Sequence, residues 1–472
     1  MGKKGEIILR NQSRLPIFRY GPLAIRTVFT VVAVLLSSLV IPATSSAVSL
    51  TGESSTYLQS RQTGDGTKEL PLYEYLNFSV SDLGKESISF QFGGWLRYEL
   101  KNGDADHRTT NDLSYAYLSY RNSVANTMVN VGRILVFEGV ASDRVDGVYV
   151  KTDLKHNFGL SAYGGMPAET GTDLAGNKNI YGTRLSYQSP GLYQIGLSYL
   201  KEEKNSEQFR KEEGVDLWVK PVAKVELMGK SRYNAINSAW SDHSYFLVLG
   251  PFSKLRLSTE ATQINYKDYF TGTTSSVFDL SKSSIDPNDK VRILGEEAAF
   301  KATDTVSVSL DYKAYTYEIA GKASYYGGKI AYSSARTVGA GLSLHKMAGE
   351  TNKLKYDEYR IYGFRKIGHT EVTVDALDVK YAEAINDVKD AYSLTLAAAY
   401  EISPSMKLGA DVEYSKNPDF DKDLRTMIKL TYLFDTAKTG NKAAAQGAPK
   451  AGTIQQAMAA PLTEQGKPKE GN

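Results

Sequence analysis

The sequence predicts an all-β chain, a transmembrane, antiparallel, up-and-down β-barrel of about 22 strands, with roughly 18–24 as the range. Three observations carry this. Apolar and polar residues alternate with a two-residue period in runs of about ten. Short connectors alternate with longer polar ones nearly throughout. Beyond the first 50 residues, no apolar run approaches the ~18 residues that a membrane-spanning helix needs.

Composition narrows the chemistry. Among 472 residues, Tyr (32) outnumbers Phe (16) and Trp (3) together, and Gly reaches 40. Tyrosine joins a β-favouring ring to a hydroxyl that can stay wet, which suits strands at a membrane boundary. Cysteine is absent. That excludes a disulfide framework, a thiolate zinc site, thioether haem attachment and a lipid-modified N-terminal Cys.

The N-terminus reads as an export signal over residues 1–47. Lys3, Lys4, Arg10, Arg14, Arg19 and Arg26 form a basic region, and Thr27 to Ile41 an apolar one that Pro42 breaks. Ser45, Ser46 and Ala47 supply small residues for cleavage, so the mature chain is expected to start near Val48. The apolar run is short for a membrane anchor. The formal charge of +3 is carried by this signal and by the C-terminal tail, and residues 48–434 alone sum to −4. No basic surface for nucleic acid is implied.

Three stretches show the alternation best. Ile88, Phe90, Phe92, Gly94, Leu96, Tyr98 and Leu100 share one face, opposite Ser89, Gln91, Gly93, Trp95, Arg97 and Glu99. Val306, Val308, Leu310, Tyr312 and Ala314 oppose Ser307, Ser309, Asp311 and Lys313. Met406, Leu408, Ala410, Val412 and Tyr414 oppose Lys407, Gly409, Asp411 and Glu413. A soluble sandwich would also alternate, but connector lengths discriminate. Short turns are expected near Ser81–Lys85, Asn122–Ala125, Asp153–His156, Gln188–Gly191, Lys220–Val222, Gly250–Ser253, Thr303–Asp304, Ser333–Arg336, Lys366–His369 and Ser403–Pro404. Longer connectors are expected at Lys101–Asn111, Met166–Asn177, Lys201–Lys211 and Lys267–Asp289. Bacterial outer-membrane barrels place short turns on the periplasmic side and long loops outside. The bilayer is the cause: every backbone N–H and C=O in hydrocarbon needs a partner, and a closed sheet has no edge. Arg97, Glu99, Asp311, Lys313, His345, Lys407, Asp411 and Glu413 should then line a wet lumen.

In the last strand, Ile428, Leu430, Tyr432 and Phe434 alternate with Lys429, Thr431 and Leu433. This resembles the C-terminal β-signal of outer-membrane proteins, which the barrel-assembly machinery reads. It departs from that pattern in not ending the chain. Residues 435–472 follow, rich in Ala, Gly, Lys, Gln and Pro, a composition that cannot bury a core and reads as a disordered periplasmic tail.

Enzyme and metal signals are weak. The five histidines (His107, His156, His243, His345, His369) are scattered, with no zincin, nucleophile-elbow or phosphate-loop motif. Asp419, Asp421 and Asp423 alternate in one loop but lack the Gly and closing Glu of a calcium loop. No cofactor is expected.

Residues 132–147 (GRILVFEGVASDRVDG) are more informative. By position, and by the GR, FEG and DR-DG residues, the segment resembles the porin region where a connector between strands five and six folds inward and narrows the channel. On that resemblance Ile134, Val136 and Phe137 would pack on the inner wall. Arg133, Glu138, Asp143, Arg144 and Asp146 would face one another at the constriction, where opposed charges select permeants. An ordinary salt-bridged hairpin is the alternative.

Taken together, the chain resembles a Gram-negative porin, an outer-membrane pore for passive diffusion of small polar or charged solutes. A plugged transporter of similar strand number is set aside, because strands begin directly after Ala47. So wide a barrel needs something in its lumen. The chain is therefore also similar, in architecture, to the porin-like subunits of porin–cytochrome conduits, which would make multihaem cytochromes its partners. Membrane lipid and the assembly machinery are implied in either case. Association with further copies of itself is left open.

Overall fold

A computed structural model describes residues 48–62, 68–83, 87–101, 108–124, 126–169, 171, 176–270, 286, 288–335, 337–418 and 420–436. Residues 1–47 lie outside that set. The expected export signal, the tail beyond Thr436, His107 and Asp419 therefore lie outside the described residues.

Twenty-two long strands follow one another. The first six are β1 (Ser49–Gln62), β2 (Pro71–Ser81), β3 (Ile88–Glu99), β4 (Thr109–Asn122), β5 (Thr127–Glu138) and β6 (Ala141–Asp153). Then come β7 (Phe158–Pro167), β8 (Lys178–Ser189), β9 (Tyr193–Lys204), β10 (Glu207–Val222), β11 (Val225–Asn234) and β12 (Ala239–Phe252). The next five are β13 (Leu255–Asn265), β14 (Lys290–Lys301), β15 (Val306–Tyr317), β16 (Lys322–Ser334) and β17 (Val338–Gly349). The last are β18 (Tyr356–Ile367), β19 (Thr370–Ile385), β20 (Val388–Ser403), β21 (Met406–Asn417) and β22 (Phe420–Asp435). A two-residue extension, Lys68–Glu69, pairs with Arg61 and Gln62 at the end of β1.

Each strand pairs antiparallel with the next, and β22 pairs with β1 from Thr51↔Asp435 to Ser60↔Thr426, so the sheet closes on itself. At this seam the ring of Phe434 lies over Gly52, where a Cβ would stand 2.5 Å from it. Thr436 still pairs with Leu50. Closure leaves the sheet without an unpaired edge.

The two faces separate as the alternation requires. Leu197, Leu310, Ile361 and Ile428 stand outward and more than half exposed. On the opposite face, ion pairs reach across a whole intervening strand, which only a concave wall allows. Arg184 of β8 meets Asp216 of β10 at 2.5 Å, and Lys313 of β15 meets Glu260 of β13 at 2.8 Å. Gly196 of β9 lies between the first two, and a Cβ there would come within 2.5 Å of both.

The short turns gather at one end with Val48 and Thr436. There the prediction needs adjustment at two turns: β10 runs through Val222 and β12 through Phe252, and each turn falls after it. At the other end one expected loop is absent. Across Lys201–Lys211, β9 and β10 continue to a tight turn at Asn205 and Ser206, both at positive φ. The charges that read as solvated loop, Glu202 and Arg210 among them, instead face the interior.

Candidate pore constriction

The interior is narrowed by the tip of the β5–β6 hairpin. These strands pair with each other from Met128↔Lys151 to Glu138↔Ala141. The wall holds them over less: β4 pairs with β5 only as far as Arg133, and β7 with β6 only as far as Val145. Residues 134–144 thus leave the wall as a two-stranded ribbon. An inward-folded connector was expected; the tip is instead regular strand around a Gly139–Val140 turn.

The departure is built on glycine. Gly132 and Gly147 are cross-strand partners, and Gly132 sits at φ +134°. A Cβ on Gly132 would meet the Ala116 carbonyl oxygen at 2.3 Å, and one on Gly147 the Gly164 carbonyl oxygen at 2.1 Å. Backbone packs on backbone here, which lets the ribbon turn sharply.

Beyond the bend, one face of the ribbon lies on the inner wall. Ile134, Val136, Val140 and Val145 form a buried cluster with Tyr149, Tyr163, Ile180 and Leu200, from β6 to β9. Burial of four such side chains, at about 1.5–3 kcal/mol each, is enough to hold the tip down. At the apex the Val140 N–H donates to Ser198 Oγ at 3.1 Å, and Val140 covers Gly214 of β10.

Charges fasten the same face. Glu138 accepts from the Tyr149 hydroxyl at 2.5 Å and from Lys151 at 2.8 Å, with Arg184 at 3.7 Å. Asp143 accepts from Arg210 at 2.7 Å, and Arg210 also binds Glu212. The ladder continues through Arg232, which binds Asp242 at 2.7 Å and stacks on Tyr269 of a short helix, Tyr266–Phe270.

The other face meets β4 and the β7–β8 connector. Arg133 makes a two-pronged contact to Asp146, at 2.7 and 2.8 Å, and donates to the carbonyls of Leu113 and Gly171. Arg144 donates to Asp112 at 2.7 Å and to the carbonyls of Ala168 and Glu169. Lys178 hydrogen bonds to Glu169 and holds its carboxyl below the usual range. Where strand pairing lapses, two arginines thus satisfy the freed carbonyls.

Of the five expected constriction residues, Glu138, Asp143 and Arg144 lie on the ribbon, while Arg133 and Asp146 face each other at its base, still paired with the wall. Their partners differ from the expectation: Arg133 pairs with Asp146, while Glu138, Asp143 and Arg144 reach to the wall. Phe137, expected against the inner wall, is 58% exposed on the ribbon's other face. Sequence reasoning missed the wall side, Arg184, Ser198, Arg210, Glu212 and Gly214. The alternation of Arg210, Glu212, Gly214 and Asp216 on one face was the available signal.

The lumen candidates fall on the concave face. Arg97 bonds Glu99 at 3.0 Å, and His345 bonds Asp311 at 2.9 Å. Lys407, Asp411 and Glu413 alternate with outward Leu408 and Tyr414 on β21, and Ser393 donates to Glu413. Ile428, Leu430, Tyr432 and Phe434 occupy the outward face of β22 at the seam. Asp423 is fully buried beside Arg425 at 2.5 Å, and among the described residues no metal-binding cluster occurs.

No family model matches the chain, and no curated protein matches it in sequence. Solved structures do. A mutant of the ferric enterobactin receptor of Pseudomonas aeruginosa aligns with a TM-score of 0.51 at 9% identity, over 82% of this chain and 81% of that one. The P pilus usher translocation pore aligns at 0.47 and 9%, over 81% and 99%. OccD3 of Pseudomonas aeruginosa aligns at 0.41 and 12%, over 82% and 91%. At these identities the likeness is one of fold. The chain is a closed, 22-stranded, up-and-down antiparallel β-barrel.

Proposed function

We propose that the chain is an outer-membrane channel for passive diffusion of small polar or charged solutes, narrowed by its own β5–β6 hairpin. One observation carries this reading: the ribbon 134–144 lies inside the barrel, fastened by Glu138–Arg184 and Asp143–Arg210 to the inner wall. A ribbon held by both apolar packing and ion pairs narrows the lumen without an additional domain. The charged ladder from Arg184 to Asp242 then sets a local field along the passage, which acts on permeants by charge. The reading assigns no catalytic step to any residue.

Single-channel conductance of the purified protein in a planar bilayer tests it. Discrete openings of modest size with a charge preference are the expected result. A silent protein, or one very large unselective leak, would overturn it. The sheath around multihaem cytochromes would then be the better account of the lumen.

A further inference from the structure

Besides the charged ladder, the concave face carries an aromatic patch that the narrowing does not use. Tyr57 of β1, Tyr73 and Tyr75 of β2 and Trp95 of β3 share that face, being cross-strand partners in the registers Tyr57↔Tyr73 and Tyr75↔Trp95. Their ring centroids form a continuous group: Tyr57–Tyr75 at 5.2 Å, Tyr73–Tyr75 at 6.1 Å, Tyr73–Trp95 at 6.3 Å and Tyr75–Trp95 at 6.4 Å. Tyr73 and Tyr75 lie within 26° of parallel and make a platform along the strand rather than a packed core. All four are partly exposed to the lumen. The patch spans two interstrand spacings, about 10 Å.

Four rings facing water on the polar side of a barrel leave apolar surface uncovered, and a ligand with an apolar face gains by covering it. The polar groups beside the platform decide which ligand. Arg97 lies over Tyr73 at 6.0 Å and is itself held between Glu69 at 3.4 Å and Glu99 at 3.0 Å. Lys429 lies over Tyr57 at 4.7 Å. The cation next to the platform is thus already matched by carboxylates, and cations already occupy two ring faces. Arg97 with Glu69 and Glu99 offers donors and acceptors in one place beside the rings, its own charge matched by the two carboxylates. Sugars match it: their C–H faces stack on aromatic rings while their hydroxyls both donate and accept.

We infer that Tyr57, Tyr73, Tyr75 and Trp95 form a lumenal binding track for the sugar rings of neutral oligosaccharides. The inference deepens the channel reading and rests on it for transport, though not for binding. Ligand enters by stacking on Trp95 and Tyr73, and Arg97, Glu69 and Glu99 exchange hydrogen bonds with its hydroxyls.

Two readouts on the full-length protein test it. In planar bilayers, maltotriose should interrupt the ion current saturably, while a polyethylene glycol of equal size should not. Tyr75→Leu and Trp95→Leu should each weaken the block about threefold to tenfold, the range expected from aromatic contacts. Separately, maltotriose should shift Trp95 fluorescence in detergent, in a Trp218→Phe, Trp240→Phe background. That binding signal does not depend on conduction, so a silent channel that still binds sugar overturns the channel reading alone. Block by tetramethylammonium without block by maltotriose, or absence of both sugar signals, overturns the track.

Discussion

Gly132 of β5 and Gly147 of β6 stand directly opposite each other at the level where the hairpin leaves the barrel wall. On the far side of this pair the ribbon belongs to the lumen; on the near side it belongs to the bilayer-facing sheet. Because Gly132 holds φ at +134° against the Ala116 carbonyl, no other residue fits without strain. Replacing Gly132 with Val should cost on the order of 1–3 kcal/mol and displace the ribbon. The expected result is a lower midpoint in denaturant together with a larger unitary conductance. Unchanged values of both would show that the bend does not depend on this glycine.

The Asp143–Arg210 contact should act as the main polar clasp. Arg210 is only 4% exposed at its side chain, so removing its partner leaves a buried cation held by Glu212 alone. Asp143→Ala should destabilise by about 1.5–3 kcal/mol, the loss of one charge-assisted hydrogen bond, because Glu212 still neutralises Arg210. Arg210→Met combined with Asp143→Ala should not recover it, since buried Glu212 then keeps only Arg232 at 3.8 Å. A double-mutant cycle on urea midpoints measures the coupling; additive effects would mean that the clasp is not formed in the membrane.

The apex can be tested by crosslinking, since the chain has no cysteine of its own. Val140 and Ser198 are joined by a 3.1 Å hydrogen bond. Cysteines placed at both positions should form a disulfide on mild oxidation, because this bond brings the Val140 backbone against the Ser198 side chain. Mass spectrometry of the oxidised protein reads the result. Free thiols under those conditions would place the apex elsewhere in the lumen.

At the seam, Phe434 covers Gly52, and the outward face of β22 continues through Tyr432, Leu430 and Ile428. Phe434→Ala should lower the fraction of chains assembled as closed barrels, read by heat-modifiable migration on gels. Gly52→Leu should do the same by a different cause, since its side chain would collide with the ring. Normal assembly in the Ala variant would remove any role for the ring in closure or in recognition by the assembly machinery.

Much of this was legible in the residues. The two-residue period of Ile88–Glu99 and Val306–Tyr317 comes from a wall with hydrocarbon on one side and water on the other, so composition alone reveals it. Segment 132–147 announced itself by an apolar run where a connector was due. The loop expected at Lys201–Lys211 failed for the converse reason. Glu202 and Arg210 sit on an inner face, where Asp143 and Glu212 hold Arg210, and a polar strand facing a wet lumen looks like a loop in one dimension.

By itself, the sequence determined the strand period, the approximate strand number and the turns at one end. All of these depend on neighbours within a few residues along the chain. Only the tertiary structure decided what the narrowing segment touches. Arg184, Ser198, Arg210 and Gly214 lie 40 to 80 residues from the ribbon, roughly, and meet it because barrel curvature brings inner faces of separate strands together. The same curvature gathers Tyr57, Tyr73, Tyr75 and Trp95 into one platform. Side-chain alternation states which face a residue takes; closure of the sheet chooses its partners there.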